Sequence, residues 1–471
     1  MLERLDRTGT TKLLDVQEKA LISSNEVPGF AYYMEMGLGK TLTALIEFLS
    51  LVAQKKATRL VVVCPNSFKM GWVEEIKKHD INVHPYVFNS GADYDNDAFL
   101  KVLFKKPPVL IVNYEAIRKA ENQIYIRRFI HDKRCMIVLD ESIQIKTWNS
   151  LQTKAALELG PLFDYKRVLS GKPVTGGPHD LWAQMRFIGA INDRFFPFKT
   201  TFCKMGGFKA KKVVGIQNEA LLAAKIDKYV FRASKADWTD LPAKSYTSRQ
   251  YQLTSRLASM YKSMEDDFVL WLDETENVTV DAFITKYIKL AQIQSGFIIS
   301  EEGIVKELVS WVDNPRFKLV QEIIEEVSGK AVIPYVHKYT LILLERSLAD
   351  YNPAFIKGGM TPDEIKAQTD KFNDDPTCRI ILAQIRASKY GFTWLGGHAP
   401  LDRCNTMIFA ENSYSLDDRS QIEDRIHRHG QKNPCLYVDL WGTKLDHRIT
   451  MALQAKENIA QAVFQYFGKS R

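Results

Sequence analysis

Short apolar runs rich in β-branched residues recur in two series, one in the first third of the chain and one in the last. The first series holds "RLVVVCP" (59–65), "PPVLIVNY" (107–114), "MIVLDE" (136–141) and "YKRVLSG" (165–171), separated by helically spaced segments such as "WVEEIKKH" and "SLQTKAALEL". Strands that alternate with helices imply a parallel sheet covered on both faces. The rhythm returns in "KAVIPYVH" (330–337), "CRIILAQ" (378–384), "NTMIFAE" (405–411) and "CLYVDLW" (435–441). The fold class expected is therefore α/β, with two parallel-sheet lobes. Between them the strand pattern lapses and helical spacing takes over, as in "SRLASMYKSMEDDFVLWLDE" and "DAFITKYIKLAQIQ". The division expected is a first lobe over 1–194, a helical insertion over 195–315 and a second lobe over 316–471.

Composition removes other classes. Hydrophobic residues at 45% and charged residues at 25% are those of a globular chain. No apolar run approaches the roughly 18 residues of a membrane span, and the start, "MLERLDRTGTTKLLD", lacks the apolar core of a secretory signal. A soluble, intracellular protein with no membrane partner is expected. The six cysteines are scattered and never form C-x-x-C, so neither a zinc site nor a disulfide framework is indicated. Lys plus Arg number 64 against 56 for Asp plus Glu. That balance leans toward an anionic partner and permits nucleic acid without demanding it.

Chemistry enters at "AYYMEMGLGKTLTAL" (31–45). A phosphate-binding loop needs glycines so that backbone N–H groups can wrap phosphates, a Lys to reach the β and γ oxygens, and a hydroxyl on magnesium. Gly37, Gly39, Lys40 and Thr41 supply these parts, although Met34 stands where the strict pattern has its first glycine. Such a loop needs an acidic pair at the end of a buried strand, one carboxylate for Mg²⁺ and one to activate water. In "MIVLDES" Asp140 is the magnesium candidate and Glu141 the general base. Two carboxylates that merely end a strand in solvent are the bland alternative.

Near the end of the chain, "QIEDRIHRHGQK" (421–432) concentrates Gln421, Arg425, His427, Arg428 and His429. Spaced three apart on a helix, Arg425 and Arg428 share a face, which is either solvated or aimed at developing phosphoryl charge.

Taken in order, these segments resemble the Swi/Snf type of superfamily-two helicase-like ATPases. "MGLGKT" is that family's phosphate loop, with Met34 where the family usually has Asp. "VVVCPNSFKMGWVEEIKK", "VNYEAI", "LSGKPVTGGPHDLW", "FRASKADWTDLPAK" and "SKYGFTW" are similar to its further segments. "QIEDRIHRHGQ" matches its Q-x-x-D-R-x-H-R-x-G-Q at every fixed position.

The resemblance implies two RecA-like lobes that bind ATP and Mg²⁺ and move on DNA. It gives Gln17 an adenine-reading role, Gly391 a place in the fifth motif, and Gln421, Arg425 and Arg428 places in the arginine-finger motif. By position, the DNA candidates are Asn66, Ser67, Lys69, Asn113 and Tyr114 in the first lobe. Lys357, Gly358, Ser388 and Lys389 are their counterparts in the second. Trp72, Trp182 and Trp394 fall in motif segments, where packing between helix and sheet is the expected fate of a large aromatic.

Three departures matter. Ile143 replaces the histidine of D-E-x-H, which couples the ATP site to the segment around Ser170 in the family, Lys172 replaces the threonine of G-T-P, and Ser388 and Lys389 replace a glycine pair. The function expected is an ATP-dependent DNA translocase on duplex, forked or junction DNA, with fork remodelling or Holliday-junction branch migration as its use. Two alternatives stay open: a strand-separating helicase of defined polarity, and a slow nucleotide-gated DNA-binding or displacement factor. The compact layout resembles phage or prokaryotic members, which implies a monomer in the cytoplasm that works with other replication or recombination proteins.

Overall fold

The computed structural model describes residues 12–88, 107–206, 212–238, 241–274, 280–388, 393–396, 403–413, 415–428 and 430–454. The chain forms two compact units, Met1–Asp240 and Leu241–Arg471.

In the first unit, strands β1 (Gly29–Met34), β2 (Arg59–Cys64), β3 (His84–Val87), β4 (Pro108–Asn113), β5 (Cys135–Leu139), β6 (Tyr165–Ser170) and β9 (Val230–Ala233) form one sheet, and β7 (Cys203–Gly206) pairs antiparallel with β8 (Lys212–Ile216). The sheet order is β3-β4-β2-β5-β6-β1-β9, and every pairing is parallel. Because the pleat alternates, each apolar run feeds two cores. Val61, Val63, Leu110, Val112, Ile137 and Leu139 face one, while Leu60, Val62, Val109, Ile111, Met136 and Val138 face the other. Each such fully buried Val, Leu or Ile contributes about 1.5–3 kcal/mol relative to exposure. The parallel arrangement then brings the loops after β1, β2, β4, β5 and β6 to one edge, the place where open α/β sheets bind ligands.

The second unit repeats the plan with β10 (Lys244–Gln250), β13 (Ala331–Tyr335), β14 (Ala354–Ile356), β15 (Ile380–Gln384), β16 (Thr406–Phe409) and β17 (Cys435–Trp441), in the parallel order β10-β17-β16-β13-β15-β14. A short antiparallel pair, β11 (Phe297–Ile299) and β12 (Val305–Glu307), lies outside that sheet. The α/β class with two parallel-sheet lobes is as the apolar runs implied.

The separate insertion expected over 195–315 is a correction, because those residues are divided between the two units. Phe195, Phe198 and Phe202 pack into the first unit's core, and β9 completes its sheet by pairing with β1, Ala31 opposite Val230 and Met34 opposite Ala233. In the second unit, β10 pairs with β17, and helices Ser255–Glu274 and Val280–Gln294 share a core with Leu445 and Ile449. The sequence hid β10 because its residues are mostly exposed, so "KSYTSRQ" carries no apolar signature. Among the described residues no helix is long and apolar enough to cross a membrane.

Candidate functional site

The phosphate-loop residues lie between β1 and helix α2 (Lys40–Ala53). Gly37 and Gly39 take left-handed φ values of 90° and 75°, a region that glycine enters without steric cost. Lys40 is buried, and its Nζ donates to the Met34 carbonyl at 2.9 Å and the Glu35 carbonyl at 3.4 Å. Thr41 follows, half-buried. No acidic side chain occupies the first turn of α2, so the positive end of the helix and its N–H groups remain suited to phosphate. The side chain of Met34 is buried in the sheet core, and its carbonyl holds Lys40. Glu35, which had no role in the sequence pattern, clamps the loop: its N–H donates to Ala233 O, and its carboxylate accepts from the Lys235 N–H at 2.8 Å.

Gln17 reaches this loop from helix α1 (Asp15–Ser24). Its Oε1 accepts from the Leu14 N–H and its Nε2 donates to Gly39 O at 3.1 Å. A Cβ on Gly39 would lie 2.2 Å from that Nε2. Gly39→Ala is therefore expected to strain the loop by about 1–3 kcal/mol and to weaken Mg-ATP binding about tenfold or more by calorimetry. An unchanged affinity would separate this loop from the nucleotide.

One strand beyond β6, β5 delivers the acidic pair. Asp140 is buried; its Oδ2 accepts from Trp72 Nε1 at 2.9 Å and its Oδ1 from the Glu141 N–H at 3.0 Å. Tyr114 Oη donates to the Asp140 carbonyl at 2.8 Å. Burial pushes the Asp140 carboxyl up, against the pull of the Trp72 indole N–H, the Lys40 ammonium and the Glu141 N–H. Glu141 is buried at φ 49°, ψ 52°, a left-handed conformation that costs a non-glycine residue about 1–3 kcal/mol and that concentrates at functional sites. The residues fit Mg²⁺: Asp140 and Thr41 offer oxygen, the donor that ion takes, with phosphate and water oxygens for the remainder. Beside them, a Cβ on Gly171, just after β6, would lie 3.4 Å from the Met36 N and 3.7 Å from Lys40 Nζ. Three strand ends thus converge on Lys40.

The DNA candidates divide. Asn66 is exposed, Ser67 lies in the turn Asn66–Phe68, and Lys357 and Gly358 are exposed, with the Gly358 N–H donating to Gln384 Oε1. Four others have buried side chains. Lys69 is buried, its Nζ donating to Phe88 O and its pKa lowered by that burial. Asn113 is buried and donates to Glu115, Tyr114 is locked onto Asp140, and Ser388 is fully buried. None of these four side chains faces outward toward a phosphate backbone. Lys389 and Gly391 lie outside the described residues. Trp72, Trp182 and Trp394 are buried, and the hold of Trp72 on Asp140 is a role its position in the sequence did not show.

In the second unit, the helical turn expected to join Arg425 and Arg428 is absent. The helix Leu416–Glu423 ends at Asp424, where the chain turns to bury Ile426. Arg425 is buried and Arg428 half-buried, so they do not share a helical face. Gln421 donates to Asp417 within the helix. Gln431 donates to Cys404 O and Ile426 O and accepts from the Lys432 and Asn433 N–H groups, which makes it a loop-closing residue. His427 Nε2 contacts Pro242 O at 2.9 Å.

Sequence reasoning missed Glu411, at the end of β16. Its carboxylate accepts from Ser295 Oγ, Thr340 Oγ1, the Val336 N–H and the His337 N–H, and meets His337 Nδ1 at 3.0 Å. Nothing in its local sequence separates it from an exposed strand-end acid; its partners come from distant segments.

With this geometry in place, the comparisons are specific. The SNF2-related domain model matches residues 26–296. A relative from Caenorhabditis elegans, the SWI/SNF-related matrix-associated actin-dependent regulator of chromatin subfamily A-like protein 1 homolog, is 25% identical over 445 residues, covering 91% of this chain and 58% of its own length. The human DNA annealing helicase and endonuclease ZRANB3 is 23% identical over 437 residues, covering 89% of this chain and 37% of its own. The chain therefore spans little more than half of the first relative and well under half of the second. The Sulfolobus solfataricus SWI2/SNF2 ATPase core in complex with dsDNA is 22% identical, covers 98% of this chain and 95% of its own, and has a TM-score of 0.43. Matched by that model over more than half of its 471 residues, the chain belongs to the SNF2-related domain family.

Proposed function

We propose that the chain is a DNA-stimulated ATPase that uses Mg-ATP to move along duplex or branched DNA. The observation that carries this reading is the convergence, at one edge of the first sheet, of Lys40, Asp140 and the strained Glu141. In it, the loop N–H groups and Lys40 bind the phosphates, Gln17 contacts the adenine side, and Thr41 and Asp140 hold the metal. Mg²⁺, when bound, neutralises charge on the β and γ oxygens. Glu141 takes a proton from the attacking water as the bond between the γ-phosphorus and the bridging oxygen of ADP breaks. Arg425 and Arg428 are the cations for the charge that develops on the γ-phosphoryl group, with Gln421 beside them.

DNA is held chiefly through phosphate, so binding falls steeply with salt and carries little base preference. Asn66, Ser67, Lys357, Gly358 and Lys389 remain the candidate contacts, with Gly391 in the motif that follows. Fork remodelling or branch migration is the use proposed, in keeping with the annealing-helicase name of the human relative. The test is ATP turnover at one low salt concentration with no nucleic acid, single strands, linear duplex, forks and four-way junctions. Stimulation by duplex, greatest on forks or junctions, is expected. Flat, slow turnover on every substrate would sink the motor reading.

A further inference from the structure

Gln184 is fully buried in the helix Leu181–Ile188, yet every hydrogen-bonding position of its amide is used. Its Oε1 accepts from Ser142 Oγ at 2.7 Å and Tyr33 Oη at 3.1 Å. Its Nε2 donates to Pro173 O at 2.8 Å and Asp180 O at 3.0 Å. Tyr33 is the penultimate residue of β1, ahead of the phosphate loop, and Ser142 directly follows Glu141. Pro173 belongs to the loop that starts at Gly171, beside Lys40. One side chain thus ties together the three segments on which the acid pair and the phosphate loop depend.

The loop after β6 is itself held firmly. Asp180 Oδ2 accepts from the N–H groups of Thr175 and Gly176 at 2.8 and 2.6 Å, and Lys146 Nζ donates to Thr175 Oγ1 at 2.9 Å. The loop carries the exposed Lys172, while the exposed Lys146 reaches it from the end of the Ser142–Ile145 turn. Ile143, two residues after Glu141, has no polar side-chain atom; Ser142, beside Glu141, supplies the link from this turn to Gln184. A methionine at 184 would fill nearly the same space without burying an amide; the satisfied amide adds defined geometry rather than bulk.

We propose that Gln184 is a positioning residue for Glu141: through Ser142 it holds the left-handed turn, and through Pro173 it registers that turn against the loop carrying Lys172. A phosphate backbone resting on that loop then changes the rate of ATP turnover rather than the affinity for ATP. This rests on the reading of the chain as a DNA-stimulated ATPase.

The experiment compares the wild type, Ser142→Ala, Gln184→Met and the double variant, measuring turnover with and without saturating duplex, the KM for ATP, and thermal melting. Ser142→Ala removes one bond and serves as the mild variant should Gln184→Met fold poorly. Misplacing the base predicts a fall in duplex-stimulated kcat of about 10- to 100-fold for Gln184→Met and a smaller fall for Ser142→Ala. KM stays within about twofold, the ratio of stimulated to basal rate falls, and the double variant is no worse than Gln184→Met, since both cut the same link. A structural plug would lower both rates together, in step with the fraction folded, and would leave that ratio intact in both single variants; this result overturns the inference alone. A wild type that DNA does not stimulate overturns the functional reading itself.

Discussion

Glu141→Gln is expected to lower DNA-stimulated ATP turnover by about 10²- to 10⁴-fold, the usual contribution of a positioned general base. Gln matches Glu in size and pays the same left-handed backbone cost at φ 49°, so the turn survives the change. The Asp140 carboxylate also keeps its bond from residue 141, because that donor is a backbone N–H. What is lost is the capacity to take a proton. Affinity for Mg-ATP and for duplex should therefore stay within a few-fold while phosphate release collapses. Steady-state phosphate release alongside binding by fluorescence separates the two, and a variant that keeps a tenth of wild-type turnover would remove Glu141 from the role of base.

The second large effect is on stability and belongs to the second unit. Glu411→Ala should destabilise that unit by about 3–5 kcal/mol, the scale for removing one partner from a buried charged network. The deletion strands Ser295 Oγ, Thr340 Oγ1 and the N–H groups of Val336 and His337, and it removes a negative charge near Arg316, whose guanidinium also meets Asp446 at 3.3 Å. Burial alone would push the Glu411 carboxyl up, but His337, Arg316 and the Ser295 hydroxyl hold it well below the ordinary carboxylate range. A depressed value has a fixed sign: the stabilisation is fully present above the unfolded value of about 4.3 and is lost as pH falls from there toward the folded value. Urea denaturation, read by hydrogen exchange of the β13 and β16 amides, should show a large loss in Glu411→Ala at pH 7 that narrows on acidification. Equal stability of the two proteins at pH 7 would refute the network's importance.

The sheets and the acidic pair could be read directly because strands buried on both faces must be apolar, as "LVVVC" and "CMIVL" are, and because "MGLGKT" and "DES" carry their chemistry in contiguous residues. Edge strands were hidden for the complementary reason: β10 is mostly solvated and β3 is only half-buried. Side-chain direction was the other gap. Lys69, Asn113 and Tyr114 sit at the edge where the motifs place them, yet each turns inward to a partner that spacing could not reveal. Where Ile143 offers no polar atom, Gln184, 42 positions beyond Ser142 in the chain, bonds both Ser142 and the Pro173 carbonyl. No local motif marks such a residue.

The position of β9 also sets a timetable. β1, which leads into the phosphate loop, is flanked by β6 and β9, so its second neighbour arrives only with residues 230–233. The Glu35 clamp waits for Ala233 and Lys235 as well. On a ribosome adding about 5–20 residues per second, the nucleotide edge stays unfinished for on the order of 10–50 s after synthesis begins. Throughout that interval the nascent chain presents an open sheet edge to whatever meets it first, and a chaperone or a second nascent chain could engage it before the protein's own strand does.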